Sequence, residues 1–86
     1  LVYQIEFTRS AAKDYKSIRP TSLRSKIANA LEEIAANPDQ AGRALKASLT
    51  GCYSYRIGKH QIVYEILKKE RVAIVLRIRP RRDVYR

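Results

Sequence analysis

The sequence predicts a small α+β domain in which a two-helix hairpin covers one face of a largely antiparallel sheet. Three observations carry this prediction. Strand-like runs of β-branched and aromatic residues stand at the start and recur three times in the last third. Between them, apolar residues repeat at spacings of three and four, the period of a helix face. Proline or short polar turns separate the runs.

Val2 to Phe7 alternates as a first strand, and Thr8 or Ser10 then offers a hydroxyl to cap the following helix. In that helix Ala11, Tyr15 and Ile18 share a face, and Pro20 ends it because the residue before a proline is pushed out of the helical region. Thr21 is the next expected cap. Leu23, Ile27, Ala30, Leu31 and Ile34 form a second apolar stripe that Asn37-Pro38 stops. Asp39 to Gly51, rich in Ala, Gly, Ser and Thr, reads as a loop.

Three strands follow, separated by turns at Gly58-Lys59 and Lys68-Lys69-Glu70. Alternation puts Tyr53, Tyr55 and Ile57 on one face and Cys52, Ser54 and Arg56 on the other. In the next strand Ile62, Tyr64 and Ile66 oppose Gln61, Val63 and Glu65. The last strand, Arg71 to Ile78, is expected to direct Val72, Ile74, Leu76 and Ile78 towards the helices, with Ala73, Val75, Arg77 and Arg79 opposite. The helix hairpin needs an apolar partner and the apolar sheet face needs a cover, so two layers result.

The 86 residues hold one domain spanning 1–86 and one modest core. No apolar run approaches the ~20 residues that span a bilayer, and the start lacks a signal-peptide pattern, which predicts a cytoplasmic protein. Leu1 where an initiating methionine belongs points to a missing first residue or to a processed precursor.

The net charge of +10 is unevenly distributed: residues 1–40 carry +1 and residues 41–86 carry +9. Such a concentrated field favours nucleic acid or an acidic protein over a neutral small molecule, the alternative being a surface that merely solubilises the chain. The single cysteine, Cys52, excludes an internal disulfide framework, and one histidine leaves no ligand set for structural zinc. Cys52 reads as a small buried strand residue, and His60, beside a turn, as exposed rather than as a base. No phosphate loop, serine elbow or H-E-x-x-H motif is present, and the eight carboxylates show no metal-binding pairing, so no cofactor is expected.

The candidate RNA-binding residues are Lys46, Lys59, Gln61, Arg77, Arg79, Arg82 and Arg86, joined by Arg56 and Arg81. Guanidinium forks suit phosphate oxygens, and this many of them imply contact with more than one phosphate. Tyr53 and Tyr55 could stack on bases, but their parity matches the core face. The chemistry such a set can perform is phosphoryl transfer within RNA, where the substrate's own 2′-hydroxyl attacks the adjacent phosphate and no metal is needed. Tyr85 is a candidate acid or base, with Arg82 and Arg86 favouring its tyrosinate. Arg81 is placed to act on the developing phosphorane charge or the leaving oxygen, since an arginine stays protonated.

The element order, with G-C-Y-S-Y-R-I at 51–57, H-Q-I-V-Y-E-I at 60–66 and I-R-P-R-R-D-V-Y at 78–85, resembles the RelE/ParE superfamily of bacterial and archaeal toxins over essentially the whole chain. The resemblance implies the toxin of a type II toxin–antitoxin system, neutralised by a cognate antitoxin, as a toxin–antitoxin hetero-oligomer. Members similar to RelE enter the ribosomal A site and cut messenger RNA by 2′-hydroxyl attack; ParE-like members share the fold and inhibit DNA gyrase without cutting RNA. By the same resemblance Arg56 lies near the scissile phosphate, and Arg81 and Tyr85 match an active-site arginine and tyrosine. Ser54 stands where RelE has a lysine, Gln61 where it has an arginine, and Pro80 follows Arg79 where many relatives have Gly-His or Gly-Lys. Three readings follow: a ribosome-dependent endoribonuclease, with catalytic Arg81, Tyr85 and Arg56; a gyrase inhibitor, favoured by the neutral Ser54 and Gln61; and a plain basic nucleic-acid-binding module.

Overall fold

The computed structural model describes residues 2–45 and 51–80. The elements are β1 (Gln4–Phe7), α1 (Arg9–Ser17), α2 (Thr21–Ala36), the single turn α3 (Pro38–Ala41), β2 (Arg43–Ala44), β3 (Cys52–Ile57), β4 (His60–Leu67) and β5 (Val72–Pro80). The strands form one mixed sheet in the order β1-β5-β4-β3-β2. The β3-β4-β5 meander is antiparallel as predicted, and β1 joins it parallel to β5, with Gln4 opposite Val72 and Phe7 opposite Val75.

Each helix starts for a local reason. Thr8 is the N-cap of α1, and its Oγ1 accepts from the Ala11 amide at 3.1 Å. Before α2 the capping position falls on Pro20, which supplies no side-chain bond, and Thr21 is the first helical residue. At α3, Pro38 occupies the first turn, where its missing N–H costs nothing. Ala11, Ile18, Ile27, Ala30 and Ile34 from the helices are buried against Ile62, Tyr64, Ala73, Val75 and Ile78 from the sheet. Tyr53, Tyr55 and Ile57 pack against this core, on the face their alternation predicts.

Two expectations are corrected. The segment read as a loop from Asp39 contains the end of α3 and the short strand β2, which pairs with β3 through Arg43 opposite Ser54 and Ala44 opposite Tyr53. A two-residue strand leaves no periodicity to detect. The last strand faces the other way along most of its length: Ala73 and Val75 pack towards the helices, while Val72, Ile74 and Leu76 lie on the other face, where Val72 is still buried. The cause is a bulge. Val63 pairs with Arg77 but Tyr64 pairs with Val75, so Leu76 is an extra residue that resets the alternation and lets Ile78 also point inwards. The Thr8 hydroxyl donates to the Leu76 carbonyl at 3.1 Å, so a polar group displaced at the bulge is satisfied by the cap of α1.

Candidate nucleic-acid interface

The face opposite the helices is built by register. Across four strands one row runs Arg43, Ser54, Val63, Arg77, and the next row runs Arg56, Gln61, Arg79. With strands about 4.8 Å apart, Arg43 and Arg77 stand about 14 Å apart at the backbone, so the arginines frame a neutral centre. Arg43, Arg56 and Arg77 are exposed, and none forms an ion pair with a carboxylate among the described residues. Lys59 lies exposed in the β3–β4 turn. Planar guanidinium groups spaced in this way can each engage a different phosphate of one strand.

The centre of the frame is occupied by a hydrogen-bonded pair. Gln61 is only 3% exposed, and its Nε2 donates to Ser54 Oγ across β3 and β4. Gln61, expected among the RNA contacts, is thus buried beneath the arginines and tied to Ser54.

Arg79 also has a specific partner. Beyond Phe7, β1 no longer covers the edge of β5, and α1 lies there instead. Asp14 of α1 accepts from the Ile78 amide at 3.1 Å and from Arg79 Nε at 3.2 Å, while Arg79 Nη2 reaches Ser10 Oγ at 3.3 Å. Arg79 is thereby drawn towards the helix, leaving Arg56 and Arg77 as the open cations of the predicted set on this part of the sheet. His60 is the first residue of β4 and is partly buried, so it is not the exposed turn residue expected from its neighbours. It lines an open cleft of about 720 Å³ with Asp14, Arg19 and Arg79.

Burial, with the nearby Glu65 carboxylate, pushes the Cys52 thiol up, the opposite of what a nucleophilic cysteine requires. The Tyr55 hydroxyl is shifted up chiefly by its hydrogen bond to Glu33 and further by burial. Among the described residues no three His, Cys, Asp or Glu side chains lie together as a metal site needs, and no described helix is long and apolar enough to cross a membrane. Lys46, Arg81, Arg82, Tyr85 and Arg86 lie outside the described residues.

Arg43 was not singled out by the sequence reading as a binding residue. Its signal was hidden because β2 is too short to reveal which way Arg43 points, whereas pairing with Ser54 puts it on the arginine face.

The mixed five-stranded sheet, with helices on one face and arginines on the other, is joined by a sequence match that places the chain in the RelE/ParE superfamily of toxins. The model of the ParE toxins of type II toxin–antitoxin systems matches residues 5–85, and the chain belongs to that family. It is 29% identical over 84 residues to Toxin RelG of Mycobacterium tuberculosis, covering 98% of this chain and 97% of that one. The fold is shared with the RelBE2 toxin–antitoxin complex of M. tuberculosis, with a TM-score of 0.85 and 23% identity over 94% of this chain and 93% of the other. It is also shared with the isolated E. coli RelE toxin, with a TM-score of 0.78 and 20% identity over 96% and 90% of the two chains.

Proposed function

We propose that this toxin acts as an endoribonuclease on ribosome-bound messenger RNA and is held inactive by an acidic cognate antitoxin. The observation that carries the reading is the frame of exposed arginines, Arg43, Arg56 and Arg77, free of carboxylate partners among the described residues and spread over about 14 Å of sheet. A single RNA strand laid on this face meets a cation at successive phosphates, and the neutral Ser54–Gln61 pair between them leaves room for the sugar.

In the proposed reaction the substrate's 2′-oxygen attacks the adjacent phosphorus as its proton leaves, and the bond to the 5′-oxygen breaks. The products are a 2′,3′-cyclic phosphate and a 5′-hydroxyl that takes up a proton. Arg56 clamps the scissile phosphate, Arg81 stabilises the charge of the phosphorane, and Tyr85 handles a proton. No step requires a metal. A toxin with so concentrated a field also needs masking, and an antitoxin with acidic residues facing the arginine frame would neutralise charge and block access together.

A second reading, a gyrase inhibitor that cuts no RNA, is supported by the match to the ParE family model and by the bonded, neutral Ser54–Gln61 centre. The test is to map RNA 5′ ends after brief induction, with single-turnover cleavage of ribosome-bound message for wild type, Arg81→Ala and Tyr85→Phe. The endoribonuclease reading expects cuts within codons and a loss of order 10²–10³ in rate for Arg81→Ala. Growth arrest with DNA damage and intact transcripts would transfer the assignment to gyrase.

A further inference from the structure

We propose that Glu33 forms a guanine-selective base pocket beside the arginine frame, an inference that rests on the RNA-binding reading above. β2 pairs with the edge of β3 at Tyr53 and Ser54, and the Leu45 amide adds a bond to the Cys52 carbonyl at 2.8 Å. Next to that short pairing lies a cleft of about 560 Å³, a size that accommodates a nucleotide, lined by Glu33, residues 41–45, Tyr55 and Arg56 together with the Ser54–Gln61 pair.

The chemistry of this cleft is unusual for an anion-binding surface. Two arginines line it, yet the Glu33 carboxylate forms an ion pair with neither among the described residues; its Oε2 instead accepts from the Tyr55 hydroxyl. A carboxylate repels a phosphate, so within a strand-binding cleft it favours only a ligand that presents N–H donors. An ionised carboxylate offers about four acceptor positions, and Tyr55 uses one, fixing the group while leaving both oxygens able to accept. Among the standard bases, guanine alone places two N–H donors side by side, at N1 and N2. Adenine and cytosine set a ring acceptor beside their amino group, and uracil flanks its single N–H with two carbonyls, so each meets the carboxylate with at least one repulsive contact. Arg43 and Arg56 would hold the phosphates of that same nucleotide.

The experiment is an anisotropy titration of four oligouridylates that differ only in one central base. They carry 2′-deoxy sugars at and beside that base so that none can be cut. Wild type is expected to bind the guanine oligonucleotide on the order of tenfold more tightly than the other three. Glu33→Gln should lose that preference while keeping its salt dependence, and Tyr55→Phe, which removes the tether but keeps the carboxylate, should retain most of it. Equal affinities in wild type, or a guanine preference that survives Glu33→Gln, overturn the pocket and leave Glu33 as a tether between α2 and β3. Thermal melting of each variant identifies a loss that is only unfolding. Guanine-selective binding without cleavage of ribosome-bound message refutes the nuclease reading alone. Cleavage whose base profile is identical in wild type and Glu33→Gln refutes the pocket alone.

Discussion

Tyr64, fully buried at the middle of β4, donates its hydroxyl to the Pro38 carbonyl at 2.6 Å. The bond joins the sheet to the turn that precedes β2, and burial raises the Tyr64 hydroxyl to about 12. Because the folded form holds the phenolic proton more tightly than the unfolded chain, its contribution is complete below about pH 10 and is lost as pH rises towards 12. Over that window the wild type should lose roughly 2–3 kcal/mol more than Tyr64→Phe, a figure that follows from 1.36 kcal/mol per pKa unit. Urea melts of both proteins at several alkaline pH values give the comparison. At neutral pH the same substitution, which leaves the Pro38 carbonyl unpaired, should cost about 1–3 kcal/mol.

Gly42 sits under that same hydroxyl. A Cβ there would lie 2.5 Å from Tyr64 Oη and 2.7 Å from the Ser54 carbonyl oxygen, and the latter is backbone held in the β2–β3 pairing. The Gly42 backbone itself is extended and suits any residue, so the requirement is space. Gly42→Ala should therefore destabilise by about 1–3 kcal/mol. A midpoint in urea equal to that of wild type would show that the turn moves aside freely.

Asp14 secures the far end of β5. Asp14→Ala removes the acceptor for both the Ile78 amide and Arg79 Nε, at a cost of about 1–3 kcal/mol. Asp14→Asn retains an oxygen for the Ile78 amide and should lose less. Amide exchange is the direct measurement: Ile78 should exchange faster in the alanine variant, while residues at the centre of β4 should change only in proportion to global stability.

The arginines should separate by their partners. For binding to single-stranded RNA, each lost phosphate contact lowers the slope of log affinity against log salt by roughly 0.7. Arg56→Ala and Arg77→Ala should each show that reduction, and so should Arg43→Ala. Arg79→Ala should show less, because Asp14 already neutralises it. Equal slope changes for Arg79 and Arg56 would mean that the ion pair opens when RNA binds.

Much of this arrangement was legible in the chain. The stripe through Ile27, Ala30 and Ile34 located the core face of α2, and strict alternation in Cys52 to Ile57 correctly separated Tyr55 from Arg56. What could not be read depends on partners distant in sequence. The bulge at Leu76 reverses the faces of β5, and its carbonyl is bonded by Thr8, 68 positions earlier. Arg79 looked like any other arginine until Asp14, 65 positions away, was placed beside it. Gln61 was read as a surface group because polarity is visible in a sequence, whereas burial against Ser54 arises only when β3 and β4 pair.

The parallel pairing of β1 with β5 bears on how the protein comes into being. Gln4 cannot find Val72 until the chain has been made through β5, 68 positions later, so until then β1 has no partner in the sheet and the edge of β4 that receives β5 stays open. Such long-range pairing is slow to form, and open strand edges invite wrong partners. Among the described strands, the one that carries Arg77 is therefore the last to be made, and it completes the arginine face. On this basis a translation product that stops before β5 has neither the closed sheet nor the complete cation frame.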